Sequence, residues 1–108
     1  SAADRAACTN SANNMARQYG LDEVARERLV ELLKQRRKDE VATSLTEDSM
    51  QIMKYLGRAS DPSSVLMARS LDWVEGAIPE PTFAAQKDSL LWRQEQKSRP
   101  IGAAARGP

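Results

Sequence analysis

The apolar positions of the chain recur at helical spacing, and glycine or proline interrupts each run. The clearest case lies between Leu21 and Lys38, where apolar residues recur every four positions and charged side chains fill the opposite face. That pattern predicts an amphipathic helix, which Asp22 can cap. No stretch shows the strict alternation of apolar and polar residues that is typical of a strand. The pattern therefore predicts an all-α fold.

Capping residues predict where two further helices begin. Asp61 offers a carboxylate to the free amides of a first turn, and Pro62 follows at the position where a missing N–H costs nothing. Ser44 and Glu47 have the spacing of a capping box, which predicts a helix reaching residue 56. Gly57 is expected to end that helix as a left-handed cap. Two other glycines also stand where helices should end, Gly20 and Gly76.

The same signals divide the chain into three parts. Residues 1–10 are rich in alanine with little to bury, which predicts a flexible or weakly helical N-terminus. Residues 11–77 are predicted to form a small domain of three to four helices. From Ile78 onward, closely spaced prolines favour an extended chain, so residues 78–108 are expected to form a long, mostly extended C-terminal tail with one short helix.

Charge differs between the body and this tail. Residues 1–81 carry 11 basic and 13 acidic side chains, whereas residues 82–108 carry 5 and 2. A basic tail is compatible with docking onto an acidic or polar surface, and equally with a solvated segment. The single cysteine excludes an intramolecular disulfide and is compatible with a reducing, intracellular compartment. No apolar run approaches the ~18 residues of a membrane span.

Catalytic and metal chemistry has little support in the sequence. Because the chain has no histidine, it has neither a Ser-His or Cys-His pair nor a histidine-based zinc site. Four carboxylates that lie close in sequence lack the spacing of a calcium loop. They are Asp39, Glu40, Glu47 and Asp48. We therefore expect a protein that is not an enzyme, with no catalytic residues, no cofactor and no metal.

One basic cluster is the candidate nucleic-acid site. Arg36, Arg37 and Lys38 follow one another near the predicted end of the amphipathic helix. On RNA they would contact phosphates and confer little sequence preference. Acidic residues interleave with the cluster and no aromatic residue stands beside it to stack on bases, so a solvated helix face is the competing interpretation.

Large apolar residues in the tail are the candidate partner-binding site. They are Phe83, Leu90, Leu91, Trp92 and Ile101. A tryptophan in an otherwise polar tail either folds back onto the body or anchors a partner. These residues lead to the first functional hypothesis, in which the body and tail pack on other protein subunits of a large complex.

The stretch from Leu21 to Pro81 resembles a helical module common in dinoflagellate proteins of poorly known role. The pattern is Leu-Asp-x-x-Ala-x-x-x-Leu, then a charged helix, then Asn, Lys or Asp before Pro-Ser, a methionine-rich helix, and a glycine before prolines; Asp61 stands here in place of the commoner Asn or Lys. The matching positions are Leu21, Asp22, Ala25, Leu29, Leu56, Asp61, Pro62, Ser63, Met67, Leu71, Gly76 and Pro79. The resemblance implies an all-α fold and a non-catalytic accessory role, and it brings no functional residues with it.

The sequence is therefore compatible with two functions. The first is a structural, accessory subunit of a larger assembly; the resemblance and an N-terminus that could be a processed one make a plastid or mitochondrial complex, such as a photosystem, one form of it. The alternative is an RNA-associated helical module that uses Arg36 to Lys38, which predicts binding with a steep salt dependence. The sequence leaves the partner and the compartment unknown.

Overall fold

The computed structural model describes residues 1–39 and 43–98, and these residues form an all-α fold. The helices are α1 (Ala2–Tyr19), α2 (Glu23–Lys38), α3 (Leu45–Arg58), α4 (Pro62–Arg69) and α5 (Leu90–Ser98), with a 3₁₀ turn over Ser70–Trp73 that continues α4. The predicted fold class is confirmed. Within the described ranges no strand occurs and no helix is long and apolar enough to cross a membrane.

Side-chain caps begin α2, α3 and α4 as the sequence predicts. The amide of Ala25 donates to the Asp22 carboxylate at 2.8 Å. Ser44 accepts from the amide of Glu47 at 3.0 Å, and the Glu47 carboxylate accepts from the Ser44 amide in return, so the capping box is complete. Asp61 caps α4 with Pro62 at the first helical position.

The predicted left-handed cap at Gly57 is wrong. Gly57 lies inside α3, which continues to Arg58 and ends at an extended Ala59. Ala59 is buried, so the chain leaves the helix by turning into the core and needs no left-handed residue there. Gly20 and Gly76 do adopt positive φ, at 67° and 71°. Gly20 caps α1 in the left-handed conformation.

The first helix begins at Ala2, whereas the sequence led us to expect a flexible or weakly helical segment up to residue 10. Ser1 caps it through a capping box with Asp4. Cys8, Ala12 and Met15 lie on one face and are buried against the rest of the body. Their spacing of four and three residues is a helical stripe of three residues, two of them with small side chains, which is why it gives a weak hydrophobic signal.

The core lies where α2, α3 and α4 meet beneath α1. Leu29 and Leu33 of α2, Ile52 and Leu56 of α3 and Leu66 of α4 are all fully buried. Trp73 closes one end of this core, where its ring meets Tyr55 edge to face with centroids 4.8 Å apart. Three- to four-helix packing over the predicted body is thus present, with α1 longer than expected.

The segment 77–89, which we call the returning segment, runs back along α3. Ile78 and Pro81 are buried in the body. The hydroxyl of Tyr55 donates to the Pro79 carbonyl at 2.7 Å, and the amide of Gln86 donates to the Arg58 carbonyl at 2.9 Å. The segment contains neither helix nor strand, and it belongs to the body. α5 then packs against α3.

Candidate interaction surfaces

Two of the three residues of the basic cluster at the end of α2, Arg36 and Arg37, donate hydrogen bonds to the buried carboxylate of Asp48. Arg36 is fully buried, and its guanidinium donates to both oxygens of Asp48, at 2.8 and 2.9 Å. It also donates to the Trp73 carbonyl at 2.5 Å and to the Thr43 hydroxyl at 2.9 Å. Asp48 is 1% exposed and lies in the first turn of α3, where the helix dipole favours a negative charge.

Arg37 adds to the same network. It donates to Asp48 and, at 2.7 Å, to the Thr43 carbonyl, and its side chain is 20% exposed. Lys38 is exposed. The nucleic-acid assignment of Arg36 is therefore corrected: a buried guanidinium that already bonds a carboxylate has no access to a phosphate. Of the three predicted residues, the structure leaves Lys38 facing solvent and Arg37 partly so.

The predicted partner anchors separate into two groups. Phe83 lies on the returning segment and packs against the core, with its ring centroid 6.1 Å from that of Tyr55. Leu90, Leu91 and Trp92 form the first turn of α5, and each is half-buried. Ile101 lies outside the described residues. Phe83 thus holds the body together, while the α5 residues keep part of their apolar surface exposed.

A shallow groove runs between α3 and α5. Its volume is about 420 Å³, and Tyr19, Met50, Met53, Leu90 and Leu91 contribute its apolar lining. Met50 is 57% exposed. Lys54 at its edge is paired with Glu80 of the returning segment at 2.7 Å. Met50 thus faces solvent, whereas Met53 is half-buried.

A second apolar surface, which sequence reasoning missed, lies between α2 and α4. Val24 is 63% and Leu71 75% exposed, and Met67 and Val74 are half-buried beside them. We call these four residues the α2–α4 strip. Val24 and Met67 line a depression of about 490 Å³, and Leu71 and Val74 line another of about 210 Å³. The signal was available, since positions 67, 71 and 74 share a helical face, but sequence alone does not say which face is covered.

The one cysteine is buried at a cleft between α1 and α2. The cleft has a volume of about 500 Å³ and a lining of mixed charge that includes Asp4, Arg5, Glu31 and Lys34. Burial raises the pKa of the Cys8 thiol, and the Arg37 guanidinium opposes that shift to a smaller extent. A buried thiol with a raised pKa is a poor nucleophile near neutral pH. In the described part of the chain, no group of three or more potential ligands could hold a metal ion.

Comparison of the chain with protein-family models, with curated proteins and with solved structures finds no match. The resemblance to the dinoflagellate module thus stays a prediction from sequence.

Proposed function

We propose that this chain is a non-catalytic accessory subunit of a larger protein assembly, in which its helical body and α5 pack on neighbouring subunits. The observation that carries the proposal is the set of large apolar side chains left outside a well-packed core. Val24, Met50 and Leu71 are each more than half exposed. Each lines a different depression together with another apolar side chain: Val24 with Met67, Met50 with Leu90, and Leu71 with Val74. Single exposed apolar residues are ordinary, but such groups mark contact surfaces.

The position of α5 supports the same proposal. No residue of α5 is fully buried, yet its first turn carries Leu90, Leu91 and Trp92. Tryptophan is enriched among the residues that dominate binding energy in protein interfaces. The returning segment fixes where α5 begins, because hydrogen bonds hold its end against the start of the loop after α3. The amide and the hydroxyl of Ser60 both donate to the side-chain oxygen of Gln86, at 2.8 and 3.1 Å. A partner would therefore meet a positioned helix.

We propose an organelle as the compartment of this assembly. The resemblance of residues 21–81 to dinoflagellate modules supports a plastid or mitochondrial assembly, a photosystem among them. We do not extend the proposal to RNA, because Arg36 is buried and the Arg37 guanidinium is shared with Asp48 and Thr43.

Oxidative footprinting tests whether these surfaces are covered in the native assembly. Tagged chain, isolated gently from native extract after ribonuclease digestion, is compared with the purified chain. We expect Met50 and Trp92 to be oxidised in the purified chain and protected in the native material. Met15, which is 3% exposed, is the matched control and should be protected in both. Equal oxidation of Met50 and Trp92 in both samples would contradict the proposal.

A further inference from the structure

The α2–α4 strip follows the line along which two helical elements pack against each other. α2 and the α4–3₁₀ element pack side by side, and the two depressions follow their junction from Val24 and Met67 at one end to Leu71 and Val74 at the other. On α2 the lining runs from Val24 to Gln35, and these two residues, eleven positions apart in an α-helix, are separated by about 16 Å along its axis. That length matches about three turns of a partner helix, whose anchors would recur at three- and four-residue spacing.

The charges beside the strip determine which kind of helix fits. Asp22 and Asp61 lie at the end near Val24, and Glu31 lies at the end near Leu71. Among the described residues that line the strip, Arg28 is the one that carries a positive charge, and its guanidinium donates to the Ser70 hydroxyl at 3.0 Å. The surface therefore offers an apolar centre with two aspartates and, within the described ranges, no basic residue at one end, and Glu31 together with Arg28 at the other.

The two aspartates are held in place as helix caps. Each carboxylate accepts from an amide of the first turn, Asp22 from Ala25 and Asp61 from Ser64. The Asp22 amide in turn donates to the Ser63 hydroxyl at 2.9 Å, which ties the starts of α2 and α4 together. The acidic end of the strip is thus a fixed feature of the fold, and long side chains need not be ordered to form it.

We propose that the α2–α4 strip binds a basic amphipathic helix of a neighbouring subunit, with its apolar face on Val24, Met67, Leu71 and Val74 and its lysines or arginines beside Asp22, Asp61 and Glu31. This inference rests on the proposed function and names the partner for one of its surfaces. Complementary charge at such a rim mainly accelerates association and selects the partner, while burial of the apolar centre supplies most of the affinity.

Titration of the isotope-labelled full chain with two synthetic helical peptides tests the charge of the partner. The first is a 14-residue amphipathic peptide of leucine and lysine; the second has glutamate at every lysine position. We expect the lysine peptide to shift the amide signals of residues 22–35 and 61–74 to saturation, with weaker binding at higher salt. The glutamate peptide should bind at least tenfold more weakly.

Two variants locate the contact. Leu71→Ser should weaken binding of the lysine peptide by about tenfold, whereas Met50→Ser, a comparably exposed site outside the strip, should change it by less than twofold. Glu31→Lys should weaken the lysine peptide and strengthen the glutamate peptide. Because Leu71 and Met50 are exposed, both variants should keep the wild-type circular dichroism spectrum and unfolding midpoint.

Three results would overturn the inference. Equal affinity for the two peptides would remove the role of charge, and signal changes outside the strip would place the binding elsewhere. A chain that is dimeric in solution and becomes monomeric on Leu71→Ser would show that a second copy occupies the strip. Protection of Met50 and Trp92 in the native assembly is independent of the strip, so failure here is distinguishable from failure of the proposed function.

Discussion

Removal of the Arg36 side-chain charge should strongly destabilise the protein. Arg36→Met keeps an unbranched apolar side chain, shorter than that of arginine, and removes four hydrogen bonds, two of them to Asp48. The Asp48 carboxylate, 1% exposed, would then remain buried without its bidentate partner. Breaking a buried ion pair from one side costs about 3–5 kcal/mol. Since Arg37 also donates to Asp48, we expect the lower end, about 3 kcal/mol.

Urea unfolding followed by tryptophan fluorescence measures this cost, because Trp73 lies in the core and its carbonyl accepts from Arg36. With a slope of about 1–3 kcal/mol per molar urea, a loss of 3 kcal/mol lowers the midpoint by roughly 1–3 M. Arg28→Met is the control: Arg28 is partly exposed and donates to one hydroxyl, so its loss should cost no more than about 1 kcal/mol.

A double variant separates the ion pair from simple packing. Arg36→Met combined with Asp48→Leu removes both charges, and replacement of a buried pair by apolar residues is often nearly neutral. We therefore expect the double variant to be more stable than Arg36→Met alone. A loss of less than about 1 kcal/mol for Arg36→Met, with no recovery in the double variant, would refute a buried, paired Arg36.

Three further predictions concern caps and backbone. Gly20→Ala should destabilise the protein by about 1 kcal/mol, because the φ angle of Gly20 is 67°. Gly57→Ala should stabilise it by about 0.4–1 kcal/mol, since Gly57 is helical and an added Cβ meets only ordinary van der Waals contact. Changes of the same sign in the free energy of unfolding of the two variants, measured by chemical denaturation, would contradict this pairing. Tyr55→Phe removes a hydroxyl that donates to the returning segment and should cost about 1 kcal/mol in the same assay; an unchanged midpoint would remove that role. Hydrogen bonds from the Ser64 hydroxyl and amide lower the Asp61 pKa, so Asp61→Asn should lose stability relative to wild type at pH 7, with the gap closing as pH falls below about 4; a pH-independent gap would contradict it.

Local signals account for the parts of the fold that the sequence predicts. The Ser44 and Glu47 capping box and the Asp61–Pro62 helix start both depend on residues within one turn of each other, and both are present in the structure. Such caps are determined by short-range geometry, which sequence displays directly.

The buried ion pair could not be predicted in this way. Arg36 stands among charged residues on a helix, where a basic side chain is normally exposed. Its burial depends on Asp48, twelve residues away, and on Trp73, thirty-seven residues away. The sequence pattern of α2 is the same whether or not those groups cover Arg36, so the pattern predicts an exposed basic cluster.

The returning segment escaped prediction for a related reason. Prolines at 79 and 81 disfavour a helix there, and residues 77–86 are indeed non-helical. Whether such a segment packs on the body depends on backbone contacts such as that of Gln86 with Arg58, which leave no mark in the pattern of side chains. The sequence therefore predicts that Phe83 contacts a partner protein, whereas the structure places its ring near that of Tyr55.

The native size of the protein tests the central claim most directly. Extract from the source cells, treated with ribonuclease, is separated by size-exclusion chromatography, and the chain is detected with an antibody. As an accessory subunit, the chain should elute with a particle far larger than the single polypeptide that the antibody detects on a denaturing gel, and with constant protein companions. Elution at the size of that single polypeptide under the same conditions would contradict the account.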